Sequence, residues 1–299
     1  MNLWLERLGY GPQDRVVIFH ADDLGMCHAH NRAFFDIVEG GVTATGSIMM
    51  PCSWAPEMVA YARERAGEVD VGVHLTLNSE WPTYRWGALS TCDLASGLLD
   101  PQGYLWPDVA SLHRQMDAGA AAAELRAQID RALEGGVDVT HIDTHMGAVL
   151  HPVLVPVYVE LALEYRVPAM IPRITKEQIM ARGVPEGAAA RLAGAVEALE
   201  ARGTLPVVDR QLDLYMASPE GCAEQYRQLL ASLEPGLTHL LYHAAMAGPE
   251  LEGLMSAAWG ARRICDYNFF SGEALAEILE EVGISLLTYR RLRDLMREA

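Results

Sequence analysis

Four apolar runs in this chain end in acid or imidazole side chains. They are Val16-Val17-Ile18-Phe19-His20-Ala21-Asp22-Asp23, Asp70-Val71-Gly72-Val73-His74-Leu75-Thr76-Leu77, Val137-Asp138-Val139-Thr140-His141-Ile142-Asp143-Thr144-His145 and Leu240-Leu241-Tyr242-His243. A strand that closes on Asp or His carries that side chain to the rim of a sheet, and strands from distant parts of a chain can meet at one rim. One carboxylate and two imidazoles meeting there make a divalent-metal site. A spare Asp and a spare His beside it make a proton acceptor and a proton donor. That is apparatus for metal-assisted hydrolysis.

Asp22 and Asp23 are adjacent at a strand end, so alternation sends them in different directions. One can bind a cation while the other takes a proton. The competing use of Asp23 is as a helix N-cap, because a turn into a helix follows. His74 stands in an otherwise apolar strand; alone it reads as a satisfied core histidine, and with Asp23 and His145 available it reads as a ligand. Asp143 is placed to hold a ligand imidazole in one tautomer. His141 reads as a buried hydrogen-bonding group, and His151 as a capping or exposed residue. His243 ends a strand far from the other three, which suits an acid that protonates a leaving group. His239 should sit deeper in the same strand and is given no role. Arg173, after Met170-Ile171-Pro172, ends a further strand and could hold the free carboxylate; an ordinary surface arginine is its other reading.

Other schemes fit poorly. The chain has no Gly-x-Ser-x-Gly elbow, phosphate loop or dinucleotide fingerprint. Cys27-His28 is the one adjacent thiol–imidazole pair, and it stands at a helix start.

The elements that must position these groups alternate between strand and helix. After the first strand, His28–Gly40 reads as a helix, Thr43–Met50 as a strand, Ala55–Ala66 as a helix and Val69–Leu77 as a strand. Ala118–Leu133 is a helix ended by Gly135-Gly136, and the strand to Asp143 follows. Pro152–Arg166 is helical, Ala169–Ile174 a short strand, and Lys176–Arg202 mostly helical. Leu205–Asp209 and Gln211–Tyr215 are weaker strands. Pro219–Leu233 is a helix, Leu237–His243 a strand, Gly272–Val282 a helix, and Ile284–Thr288 a last strand before a terminal helix. This rhythm implies a parallel sheet with helices outside. Seven or eight repeats predict an α/β fold of TIM-like (β/α)-barrel type, distorted or incomplete, in one domain over 1–299. Residues 78–107 break the rhythm with Trp81, Tyr84, Trp86, Tyr104 and Trp106. They read either as a platform for a sugar ring or as a loop that packs its aromatics onto the barrel.

Composition narrows the partners. The 299 residues carry a formal net charge of −17, which repels phosphate backbones and argues against nucleic acid. The cluster Arg290-Arg291-x-Arg293 reads as the solvated face of the last helix. No stretch is apolar for about twenty residues, so no membrane span is expected. The first residues lack the pattern of a signal peptide. The five cysteines are dispersed and disulfide staples are not expected, which points to a reducing cytoplasm.

Together these residues resemble the YdjC/ChbG/HpnK-type carbohydrate deacetylases, relatives of the NodB polysaccharide deacetylases. The resemblance rests on His20-Ala21-Asp22-Asp23-Leu24-Gly25, Thr43 through Pro51, Gly72-Val73-His74-Leu75, Thr140 through His145, the strand ending in His243, and Arg263-Ile264-Cys265-Asp266. It implies a (β/α) barrel, a homodimer and one divalent metal on Asp23, His74 and His145. Zinc or magnesium is the first expectation, with manganese, cobalt or iron as others. It implies Asp22 as base, His243 as acid, Arg173 as the arginine that orients the base, and an acetylated amino sugar as substrate. The chain departs from the family pattern at Gly147 and Val149, where further histidines are usual, and at His243-Ala244-Ala245, where His-Pro-Gly is usual. Hydrolysis of another amide or ester, and a non-catalytic carbohydrate-binding barrel, are the alternatives.

Overall fold

The run Val16–Leu24 is apolar without alternation because both of its faces are covered. In the computed structural model, which describes residues 2–181, 183–214 and 220–298, it is the central strand β1 (Arg15–Leu24), buried from Val16 onward. Continuous apolar runs are the mark of parallel strands with helices outside. The other strands are β2 (Thr45–Ile48), β3 (Asp70–Leu75), β4 (Ile142–Thr144), β5 (Arg210–Asp213), β6 (Gly236–Tyr242) and β7 (Ser285–Leu286). All pairings among them are parallel, in the order β4-β3-β2-β1-β6-β5, with β7 against the start of β1. The two ends of this curled sheet are tied through the extended segment 169–172, which bridges Ile142 to Ala169 and Pro172 to Val208. The result is a distorted (β/α) barrel. The predicted strand Ala169–Ile174 survives only as these bridges; Tyr215 and Pro219, at the ends of two predicted elements, lie outside the described residues.

Helices cover the outside, each with an apolar stripe inward. The helix His28–Glu39 buries Ala33, Phe34, Phe35 and Ile37. The helix Ala118–Glu134 starts where the Asp117 carboxylate accepts from the Ala120 N–H, a cap typically worth about 1 kcal/mol. It stops at Gly135. The terminal helix Tyr289–Glu298 is not simply a solvated face. Arg293 is buried, and both it and Arg290 pair with Asp138, just ahead of β4. The basic cluster therefore fastens the last helix across the N-terminal end of the barrel.

Two further expectations are revised. Cys222 and Cys265 are joined by a disulfide, with Cα atoms 6.0 Å apart. Chain length made such a staple unnecessary, but the helices Cys222–Ala231 and Ala257–Phe270 pack together and bring the two sulfurs into contact. The argument from unpaired thiols to a reducing compartment loses its premise. In the aromatic loop most rings pack inward: the buried Trp86 indole donates to the Asn78 carbonyl at 2.9 Å, and the Trp106 indole to Gly97 at 2.8 Å. Trp81 alone among its tryptophans faces the pocket described next.

Candidate metal centre and active site

The four strand ends that carry acid or imidazole groups meet at the C-terminal rim of the barrel. β1 supplies Asp22 and Asp23, β3 supplies His74, the turn after β4 supplies His145, and the residue after β6 is His243. The first two are not aimed by simple alternation. The ladder register between β1 and β2 shifts between Ala21 and Leu24, and Asp23 holds a left-handed φ of 64°. Such an irregularity re-aims side chains, and here both carboxylates line one pocket of about 320 Å³. The expectation that they diverge is thus corrected. Nor is Asp23 a helix cap, since the following helix starts at His28 with Cys27 at its cap position.

Three distances bear on whether these groups could hold a metal ion. Asp23 Oδ1 lies 3.6 Å from His74 Nε2 and 3.2 Å from His145 Nδ1. His145 Nδ1 lies 3.3 Å from His74 Nε2. Ligand atoms about 2.1 Å from a tetrahedral ion stand about 3.4 Å from one another, so the triangle fits a divalent ion. Asp23 Oδ1 is also buried without a hydrogen-bond partner, an arrangement that costs free energy unless something binds there. The far nitrogen of each imidazole is held by a carboxylate: His74 Nδ1 by Asp143 at 2.8 Å, and His145 Nε2 by Glu80 at 3.0 Å. This is how proteins fix the tautomer and basicity of metal-binding imidazoles. Other Asp/His groups nearby fit less well. His20 is 2.6 Å from Asp22 and 2.7 Å from His141, hydrogen-bond separations too short for two ligands sharing an ion.

The family model described as YdjC-like protein matches residues 16–281 of the chain. The chain belongs to the YdjC-like family. It is 37% identical over 97% of its length to a carbohydrate deacetylase of Thermus thermophilus, covering 98% of that protein. A carbohydrate deacetylase of Thermoanaerobacter pseudethanolicus is 24% identical over 93% of the chain and is covered in full, at 100%. Among solved structures, a protein from Enterococcus faecalis V583 assigned to cellobiose-phosphate cleavage superposes with a TM-score of 0.74. It is 22% identical and covers 93% of this chain and 99% of that one, a likeness of fold. The chain is thus a YdjC-like homologue of proteins named carbohydrate deacetylases.

Around the triad of this YdjC-like chain, the two proton-handling candidates flank the ligands. Asp22 Oδ1 is held by His20 Nδ1 at 2.6 Å, while Oδ2 faces the pocket, 3.9 Å from His74 Nε2 and 4.0 Å from His243 Nε2. Beneath Asp22 the hydrogen bonds continue inward from His20 to His141 (2.7 Å), Thr140 (2.9 Å) and Asp70 (2.5 Å). His141 is therefore the buried hydrogen-bonding group expected. His239, deeper in β6, meets the Tyr289 hydroxyl at 3.0 Å. His151 stands beside His113, away from the ligands, with ring centroids 4.4 Å apart.

Arg173 does not meet Asp22. Its guanidinium pairs with Glu200 and Asp209, and Asp209 receives the N–H of Leu237 at the start of β6. Because segment 169–172 only bridges its neighbours, Arg173 turns toward the N-terminal end of the barrel, opposite the pocket. Arg262 and the buried Arg263 both line the pocket, and Arg263 lies 3.6 Å from Asp23 Oδ2. Its guanidinium lies 5.8 Å from the Trp81 ring and 5.3 Å from that of Trp259. Arg263 belongs to the helix Ala257–Phe270, in a stretch where periodicity gave no element. The same helix places Asp266, which accepts the His243 N–H at 2.9 Å and the Tyr226 hydroxyl at 2.8 Å. The Arg263 carbonyl also accepts from Ala245 at 3.1 Å. These contacts hold the His243-Ala244-Ala245 backbone. Glu80 and Asp213 are two more pocket carboxylates that no spacing rule flagged.

Charge is strongly organised here. Burial opposes ionisation of Asp23, but the His145 and His74 imidazoles beside its carboxylate outweigh it and hold its pKa well below the usual carboxylate range. Burial likewise works against a charged His145, yet the charge of Glu80 and the nearby Asp23 carboxylate lift its pKa to about 9. For His74, Asp143 and Asp22 overcome burial in the same direction.

Proposed function

We propose that this YdjC-like protein is a metal-dependent hydrolase that removes an N-acetyl group from an acetylated amino sugar. The observation that carries the reading is the Asp23–His74–His145 triangle, its edges matching those of a tetrahedral metal site, with Asp22 and His243 on its flanks. Asp23, His74 and His145 would hold the ion; two nitrogens and a carboxylate oxygen suit zinc, and also manganese, iron or cobalt, or magnesium completed by waters. When bound, such an ion polarises the amide carbonyl and makes water a stronger acid.

The protein's own groups do the rest. Asp22 accepts the proton of the attacking water through Oδ2, which is open to the pocket while Oδ1 is tied to His20. His243 stands across from it and donates a proton to the departing amine, a poor leaving group until protonated. Arg263, 3.6 Å from Asp23 Oδ2, steadies that carboxylate, and the base Asp22 is oriented by His20. Trp81 and Trp259 offer apolar ring faces on which a sugar can lie. The assembly proposed is a homodimer.

Acetate release from N-acetylglucosamine and its short oligomers tests this, using protein of measured metal content. The metal-loaded protein should release acetate, and the metal-stripped protein should not. His243→Ala should lower kcat by about 10²–10⁴-fold, the range of general acid catalysis, with little change in KM. Acetate release that survives complete metal removal, or a His243→Ala variant of normal kcat, overturns the mechanism.

A further inference from the structure

Beside the metal pocket lies a second cavity, of about 520 Å³, that the proposed reaction does not use. It opens between the segment after His145 and the helices Val155–Tyr165 and Glu186–Arg202. Among the described residues lining it there is no Asp, Glu, Lys or Arg, in a chain with a net charge of −17. Its few polar groups are engaged: the Tyr158 hydroxyl donates to the Ile142 carbonyl at 2.9 Å, and His113 Nε2 meets the Ala148 carbonyl at 2.8 Å. The wall offers hydrocarbon and little else. A concave apolar site of this size is what small-molecule groups occupy.

The cavity adjoins the metal pocket. Met146 and Gly147, which directly follow His145, line both. Gly147 adopts φ +67° and puts no side chain on the boundary between them, where a Cβ would meet only Leu150, at 3.7 Å. Met146 holds φ 50° and is 56% exposed at the rim. The metal ligands, by contrast, form a closed floor: Asp23, His74 and His145 are at most 4% exposed. The acyl carbon must sit against that floor. The second cavity adjoins it at the exposed Met146, away from the floor, on the side where the end of the substrate remote from the acetyl group would lie.

We propose that this cavity receives an aliphatic aglycone carried by the amino-sugar substrate, with the acetylated sugar over Asp23, His74 and His145 and the hydrocarbon beyond Met146 and Gly147. The inference rests on the deacetylase reading and deepens it: the preferred substrate is an amphiphile.

The test compares methyl and hexyl glycosides of N-acetylglucosamine, with N-hexanoylglucosamine as the long-acyl control. Acetate or hexanoate release is measured on the metal-loaded protein and on Val196→Trp, which fills the cavity from the helix Glu186–Arg202 outside the metal pocket. Val196→Asp, which places a charge there, is the second variant. Each buried methylene is worth up to about fourfold in affinity. The hexyl glycoside should therefore exceed the methyl glycoside in kcat/KM by at least about 30-fold, mainly through KM, and both variants should abolish that advantage while leaving the methyl glycoside unchanged. Equal kcat/KM for the two glycosides, an advantage untouched by both variants, or a gain confined to the long-acyl compound would overturn the proposal. If no compound is hydrolysed, the deacetylase reading fails. Titration calorimetry then decides the cavity separately: hexyl glycoside binding that Val196→Trp removes supports it, and no binding ends it.

Discussion

Each imidazole of the site works through the group behind it. Glu80 fixes His145 from its far nitrogen, so Glu80→Gln should weaken metal affinity about 10–100-fold while the fold stays intact. Competition against a chelator of known affinity reads this, and an unchanged constant would deny Glu80 its role. His20 holds Asp22 Oδ1 at 2.6 Å and belongs to the hydrogen-bonded file that ends at Asp70. His20→Ala should keep one metal per chain and lower kcat by roughly 10–100-fold, the cost of freeing a positioned group; full kcat would mean Asp22 needs no such anchor. The ligand types were legible in the sequence because Asp23, His74 and His145 each end or follow an apolar run. Glu80 and Asp213 were not, and Arg263 entered only through the family resemblance. Glu80 sits in a loop, Asp213 ends the weakly patterned strand β5 and Arg263 lies in a helix facing the rim, so no alternation marks them as turning inward. Arg173 misled because its segment looks like a strand but bridges its neighbours at single positions.

At the level of elements, the site depends on turns that hold strand ends at one height. After Asp23 the chain reverses at Gly25, φ +83°, where an added Cβ would stand 2.9 Å from the Ala55 Cα. No alanine fits that space without backbone movement, so Gly25→Ala should destabilise the protein by about 1–3 kcal/mol and loosen Asp23. Denaturant melts and metal content measured together check this; a fully stable, metal-replete variant contradicts it. The helix Ala257–Phe270 matters as much, because Asp266 accepts the His243 N–H. Helices with clear stripes and glycine stops were read from sequence to within a few residues, His28–Glu39 and Ala118–Glu134 among them. The Ala257–Phe270 helix was passed over, since its inward face mixes Arg263 and Asp266 with Cys265 and Phe269. A helix that serves a site does not show the apolar period of one that only packs. The strand pattern predicted the barrel, but not the β1 irregularity that turns Asp22 and Asp23 into one pocket.

For the whole molecule, the excess of acidic groups around protonatable imidazoles links metal binding to pH. The carboxylates around them raise the pKa of His145 to about 9 and that of His74 above its ordinary value, so protons compete with a metal for these imidazoles at neutral pH. A metal must displace those protons. Affinity should therefore rise with pH through neutrality, and the gain due to His145 should level off above about pH 9. Calorimetric titrations in buffers of different ionisation enthalpy should show at least one proton released per metal at pH 7; no release would contradict the charge distribution described. The most direct test of the central claim is anomalous diffraction from crystals of the zinc-loaded protein. One peak should lie about 2.0–2.2 Å from Asp23 Oδ1, His74 Nε2 and His145 Nδ1. A peak lodged instead among His20, His141 and Asp143, or none at the Asp23 triangle in zinc-replete crystals, would contradict it.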